Sequence, residues 1–209
     1  MTFLRNHWFD LGIILALITV FFLLYENIDV HSLQFLLWLS LIFLFIHQFE
    51  EYRYPGYFPG MINMVMFNSE MPDRFPLNSN TSLVINILVG WLCYALAAIF
   101  YDKAIWLGIA TILVSLGNFV AHTFVFNIKG KTIYNPGMIT SIVLFLPIVI
   151  YIFYFINANH VATATDYVIG ILLGIALNYI GILKLIVWME NKNTPYIFLN
   201  RQLRPQDRK

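Results

Sequence analysis

His47-Gln48-Phe49-Glu50-Glu51 sets an imidazole and two carboxylates within five residues. On a helix turning 100° per residue, Glu51 lies about 40° from His47 and Glu50 about 60° to the other side, so the three side chains share a face. A neutral imidazole and a carboxylate one turn apart can grip a divalent cation, zinc foremost, while a neighbouring carboxylate takes a proton from water held there. On this reading His47 and Glu51 are ligands and Glu50 is the base. His122, from a distant segment, completes a two-histidine, one-carboxylate set with an open position. Asn118 orients His122 or holds a polarised carbonyl. The roles of Glu50 and Glu51 can be exchanged, and a two-metal site sharing both carboxylates is open.

The elements that must position these groups follow from composition. Of 209 residues 60% are apolar and 11% charged, whereas soluble domains carry about 45–50% and about 25%. Too little polar surface remains to coat a water-soluble globule, and disordered or fibrous chains are excluded as well. Crossing roughly 30 Å of hydrocarbon takes roughly 20 apolar residues. Apolar windows predict an all-α, polytopic helical bundle with six transmembrane helices, near 9–25, 33–51, 82–101, 104–127, 137–156 and 166–189. The whole chain, 1–209, reads as one membrane domain with a short basic C-terminal tail, 190–209. The first run follows Arg5 but lacks a small-x-small cleavage pattern, so it reads as a retained span. Between the second and third spans, Gly60 to Phe67 is too short to cross and too apolar to float, which predicts an interfacial or re-entrant segment.

Basic residues orient the bundle. With both termini on one side, that side holds Arg5, Arg53, Arg74, Lys129, Lys131, Lys192, Arg201, Arg204, Arg208 and Lys209, against Lys103 alone opposite. Both termini are therefore expected in the cytoplasm, at a bacterial plasma membrane. Direction then sets depth: His47, Glu50 and Glu51 end the second span on the cytoplasmic side, His122 lies at a similar level on the fourth, and Asn86 is one turn into the third. Lys184 on the sixth span is in the same leaflet and can snorkel toward its boundary. Thr111, Ser115, Asn118 and His122 form a stripe that must face protein or water, and Gly170, Gly174, Asn178 and Gly181 form a seam for close packing.

The His47-x-x-Glu50-Glu51 motif on an early membrane helix, the later His122, and the Tyr134-Asn135-Pro136-Gly137 entry to the next helix resemble the HXXEE-domain membrane proteins over roughly residues 33–155. The resemblance implies a multi-helix membrane fold and importance for these positions, and supplies no reaction. The inverted zinc-protease pattern H-x-x-E-H divides its labour similarly, with terminal ligands and an internal base; here Glu51 replaces the last histidine. A weaker likeness is to the membrane CAAX-prenyl proteases, which pair glutamates with helix-borne histidines. The chain departs from them in placing Arg53 two residues after the Glu pair and Asn118 before His122.

Each feature has a plainer alternative. Glu50 and Glu51 can be the wet end of a helix, His122 a hydrogen-bonded packing residue, Asn86 and Asn178 interhelical hydrogen bonders, and Lys184 an anchor. Asn135 reads as the cap of the next helix with Pro136 at its first position. Tyr134 and Asn135 remain polar site candidates beside Asn86 and Lys184.

The dispersed basic residues exclude nucleic acid as a partner. The lone Cys93 excludes a thiolate cluster, and five histidines are too few for the histidine-rich oxygen-activating membrane enzymes. The chemistry predicts a metal-dependent hydrolase at the cytoplasmic leaflet whose partners are membrane lipid and a lipidic or membrane-tethered amide or ester. The alternatives are a small proton- or ion-coupled transporter and a non-catalytic receptor or partner protein. Nothing in the residues sets the oligomeric state.

Overall fold

Six apolar stretches form helices long enough to span a bilayer: α1 (Thr2–Tyr25), α2 (Leu33–Tyr52), α4 (Ser79–Ile99), α5 (Ile105–Gly130), α6 (Met138–Ala158) and α7 (Ala164–Trp188), with the shorter α3 (Phe58–Phe67) after α2. The computed structural model describes residues 2–208, and no strand occurs among them. The protein is a multi-pass, all-helical membrane bundle. Its outer faces carry exposed Phe21, Leu24, Ile150 and Leu172, the apolar coat that hydrocarbon requires.

Local capping explains where the helices begin. Ser32 accepts a hydrogen bond from Phe35 N at the start of α2, and Thr163 and Asp166 form a reciprocal capping box at α7. Asn78 caps α4 through Asn80 N and Thr81 N, so that helix starts at Ser79 rather than near residue 82. The first helix runs back to Thr2 rather than stopping near residue 9, because neither Gly nor Pro interrupts residues 2–8.

Burial ranks the helices. The apolar window of α2 is 61% buried, against 28% in α1 and 17% in α7, so α2 is the interior helix and carries its polar end into protein. The expected small-residue seam joins α5 to α7: a Cβ at Gly170 would lie 2.7 Å from Ile109 Cβ, and one at Gly174 2.8 Å from Leu113 Cβ. Four helices contain a wide π turn, at Asn86–Leu92, Ala121–Val125, Ser141–Phe145 and Leu177–Lys184. Such turns shift the side chains that follow them and gather at functional sites.

The segment after α2 folds as α3, with Phe58 to Asn63 buried. Asn63 pins the following loop, donating to Pro72 O at 3.0 Å and Leu77 O at 2.8 Å and accepting from Leu77 N at 2.9 Å. The C-terminal stretch, expected as a basic tail, is docked instead. Phe198 and Leu203 are buried anchors, Phe198 N donates to Asp73 O at 2.8 Å, and Leu203 Cα would stand 3.0 Å from a Cβ at Gly60. Together α3 and the C-terminal stretch cover the ends of α2 and α5 that carry the histidines.

Candidate metal centre

His47 and Glu51 on α2 and His122 on α5 converge, with one ligand atom from each inside a group no wider than 4.8 Å. His47 is 1% exposed, His122 0% and Glu51 5%. Phe145 packs on the His47 ring at 4.6 Å, and Phe58 and Phe126 each lie 5.0 Å from the His122 ring, centroid to centroid. The aromatic sleeve fixes both rotamers and excludes bulk water.

The hydrogen bonds behind each ring determine which nitrogen carries the proton. Asn135 Nδ2 donates to His122 O at 2.7 Å and to Asn127 Oδ1 at 2.8 Å, which leaves Asn135 Oδ1 as the acceptor facing His122 Nδ1 at 2.6 Å. His122 is therefore protonated on Nδ1. For His47, Thr140 Oγ1 donates to Glu50 Oε2 at 2.6 Å and sits 2.8 Å from His47 Nδ1, so its lone pair accepts the Nδ1 proton. Both Nε2 atoms consequently present lone pairs, and neither makes a hydrogen bond.

Those lone pairs face Glu51 Oε1, at 3.6 Å from His47 Nε2 and 3.2 Å from His122 Nε2. Three buried electron-rich atoms directed at one another repel unless a positive charge stands among them. A tetrahedral zinc ion with bonds near 2.0–2.2 Å holds its ligand atoms about 3.3 Å apart, close to the two imidazole–carboxylate distances, within a group that spans up to 4.8 Å. One shared proton would satisfy a single nitrogen and leave the other without a partner. The donor set therefore fits a divalent cation, and the partners behind the rings are of the kind that tune metal ligands.

Glu50 lies outside this group. Its Oε1 accepts from Tyr134 Oη at 3.0 Å and Ile139 N at 3.3 Å, and its Oε2 accepts from Thr140 N at 2.9 Å as well as Thr140 Oγ1. The carboxylate caps the positive N-terminus of α6, where backbone N–H groups lack helical partners. This differs from the expected free base: four donors occupy Glu50, and its link to the centre runs through Thr140 to His47. Burial and the Glu50 charge push the Tyr134 phenol above its ordinary value, so Tyr134 stays a donor.

The Tyr134-Asn135-Pro136-Gly137 entry also departs from expectation. Met138, not Pro136, is the first residue of α6, and Asn135 spends its side chain on His122 rather than on a cap. Gly137 has φ +100°, and a Cβ there would lie 2.4 Å from His122 Cε1 and 2.9 Å from His47 Cε1. Only a glycine lets the backbone press against both rings. Asn118 donates to Val114 O rather than orienting His122, whose ring partner is Asn135. Asn86 accepts from Gln48 and donates to Ser82 O, joining α2 to α4. Lys184 is away from the centre, its ammonium 5.6 Å from the Tyr179 ring centroid.

A cavity of about 790 Å³ adjoins the centre, with His47, Glu51, Gln48, Asn86 and Asn118 among its lining residues and apolar side chains of α4, α5 and α7 around them. Residues to which the sequence assigned no role are Thr140 and Gln48, and neither carries a local signal; Gly137 belongs to the Tyr134-Asn135-Pro136-Gly137 entry, where it read as a turn residue.

A family model described as "Protein of unknown function with HXXEE motif" matches residues 38–152, a stretch that includes both histidines, the Glu pair, Asn135, Gly137 and Thr140. No curated protein and no solved structure matches the chain.

Proposed function

The chain belongs to the family of proteins with the HXXEE motif, and we propose that it is a membrane-embedded, metal-dependent hydrolase acting on a lipidic or membrane-tethered amide or ester. One observation carries the reading: Nε2 of His47 and of His122 are buried without a hydrogen-bond partner, 3.6 and 3.2 Å from the same Glu51 Oε1. His47, His122 and Glu51 would hold the cation, zinc foremost, and when bound it would supply Lewis acidity to a carbonyl and to water. Asn135 holds the His122 ring, and Glu50 holds the His47 ring through Thr140. The role of proton acceptor passes from Glu50 to Glu51, the carboxylate that lines the cavity. Water oxygen bonds to the acyl carbon, the C–N or C–O bond breaks, and Glu51 passes a water proton to the leaving nitrogen or oxygen. We assign Asn118, an amide of the cavity wall, to the carbonyl oxygen.

Ten Lys and Arg residues against one favour both termini on the cytoplasmic side. The centre then lies at the inner leaflet. In a Cys93→Ser background, Ile133→Cys should resist a membrane-impermeant maleimide in intact cells and His160→Cys should react; the reverse pattern overturns the orientation. For the reaction, purified protein in nanodiscs should cleave long-chain acyl amides or esters, lose the activity to a chelator and regain it with zinc. Glu51→Gln should be at least about a hundredfold slower, as expected for loss of a ligand and proton carrier. Metal-independent cleavage sinks the proposal.

A further inference from the structure

The shape and charge of the cavity narrow the substrate class. The inference rests on the hydrolase reading in that the scissile group is taken to sit at His47 and Glu51, which line the cavity. From there the cavity runs between α5 and α7 toward the hydrocarbon face: Ile171, Ile175, Tyr179 and Leu183 line it and are also exposed on the outer surface. Spaced four residues apart, they form one stripe along α7 about 18 Å long at 1.5 Å per residue. The cavity is thus open sideways to the bilayer, while α3 and the C-terminal stretch cover the histidines from the other side.

Among the described residues that line it, Glu51 is the one acidic side chain and there is no Lys or Arg; the remaining polar groups are neutral amides, hydroxyls and His47. With the scissile group occupying the cation, a phosphate or phosphocholine head would find no Lys or Arg along the rest of the cavity to pair with it. A neutral amide or ester meets hydrogen-bonding partners in the wall instead. The volume, about 790 Å³, is that of a site for one small ligand, within the roughly 300–1,000 Å³ of such pockets. We infer that the substrate is an uncharged, single-chain lipid whose acyl chain lies along the α7 stripe and whose neutral head reaches the centre from within the bilayer.

The test uses the full chain, zinc-loaded, in phosphatidylcholine nanodiscs, with octadecanamide carrying a mid-chain diazirine as the probe. Photolabel should concentrate on residues 171–183 of α7 and on the part of α5 facing them. Unlabelled octadecanamide should displace it, and octadecylphosphocholine should need at least tenfold higher mole fraction. Ile175→Trp, a change on an exposed lining position, should reduce labelling at least tenfold with zinc content unchanged. Equal displacement by octadecylphosphocholine, or label spread over the outer faces of all six spans, overturns the inference. Zinc is counted on the same samples, so the two readings fail separately. Selective labelling of protein that holds no metal supports the lipid site and overturns the hydrolase, whereas zinc without amide preference overturns the lipid site alone.

Discussion

The imidazoles of His47 and His122 meet edge to face, centroids 5.0 Å apart and planes at 89°. They lie 75 positions apart in the chain, and Gly137 packs so close to both that a Cβ there would fall 2.4 Å from His122 Cε1 and 2.9 Å from His47 Cε1. Gly137→Ala should therefore do two things at once. It strains a φ of +100° and drives a methyl group into both rings. We expect about 1–3 kcal/mol of destabilisation and loss of stoichiometric metal, read by thermal unfolding and elemental analysis. A variant of unchanged stability that keeps its metal contradicts the arrangement.

Thr140 joins Glu50 to His47, and its hydroxyl is the joining group. Thr140→Val should weaken metal binding about 10–100-fold, the usual effect of losing a partner behind a ligand, while Thr140→Ser restores most of it. Competition against a chromophoric chelator measures both. Equal affinity in the valine and serine variants removes the hydroxyl from the account.

Asn135 is 0% exposed and bonds to His122 at both its ring and its carbonyl. Asn135→Leu leaves the His122 carbonyl unpaired and frees the ring to change tautomer. Each buried group left unsatisfied costs about 1–3 kcal/mol. The unfolding midpoint should drop and metal affinity should fall about 10–100-fold. A drop in stability with full metal affinity would limit Asn135 to a structural role.

Much of the site was legible because it depends on helix periodicity. His47 and Glu51 lie one turn apart on α2, and the direction of each span, read from Lys and Arg, put His122 at their level. What lay beyond reach depends on contacts between helices. The capping of α6 by Glu50 is invisible locally, since the same residue on an isolated helix is an ordinary basic carboxylate. The helical stripe puts Asn118 one turn before His122, so Asn118 looked like its partner, while Asn135, thirteen residues on in the connection to α6, takes that role. Phe198 and Leu203 in a stretch rich in arginine showed no apolar period, and their burial appears only against Gly60 and α3.

Tyr134 provides a pH signature outside the spans. Burial, with the Glu50 charge second, raises its phenol from the ordinary 10.0. Above that ordinary value the unfolded chain releases a proton that the folded chain retains, so stability falls as pH rises. Tyr134→Phe should remove part of this alkaline loss, seen as a shallower decline of the unfolding midpoint between about pH 9.5 and 11 around the tyrosine reference value. Identical slopes in the two proteins would show that the phenol is not held protonated by its surroundings.

The most direct measurement of the central claim is zinc stoichiometry and X-ray absorption on the purified full chain and on His122→Ala. The account predicts one zinc per chain, bound by two nitrogen neighbours and a carboxylate oxygen at about 2.0–2.2 Å, and its loss in the variant while the helical content stays. A chain that takes up no divalent metal at all, or one whose bound metal persists unchanged in His122→Ala, contradicts it.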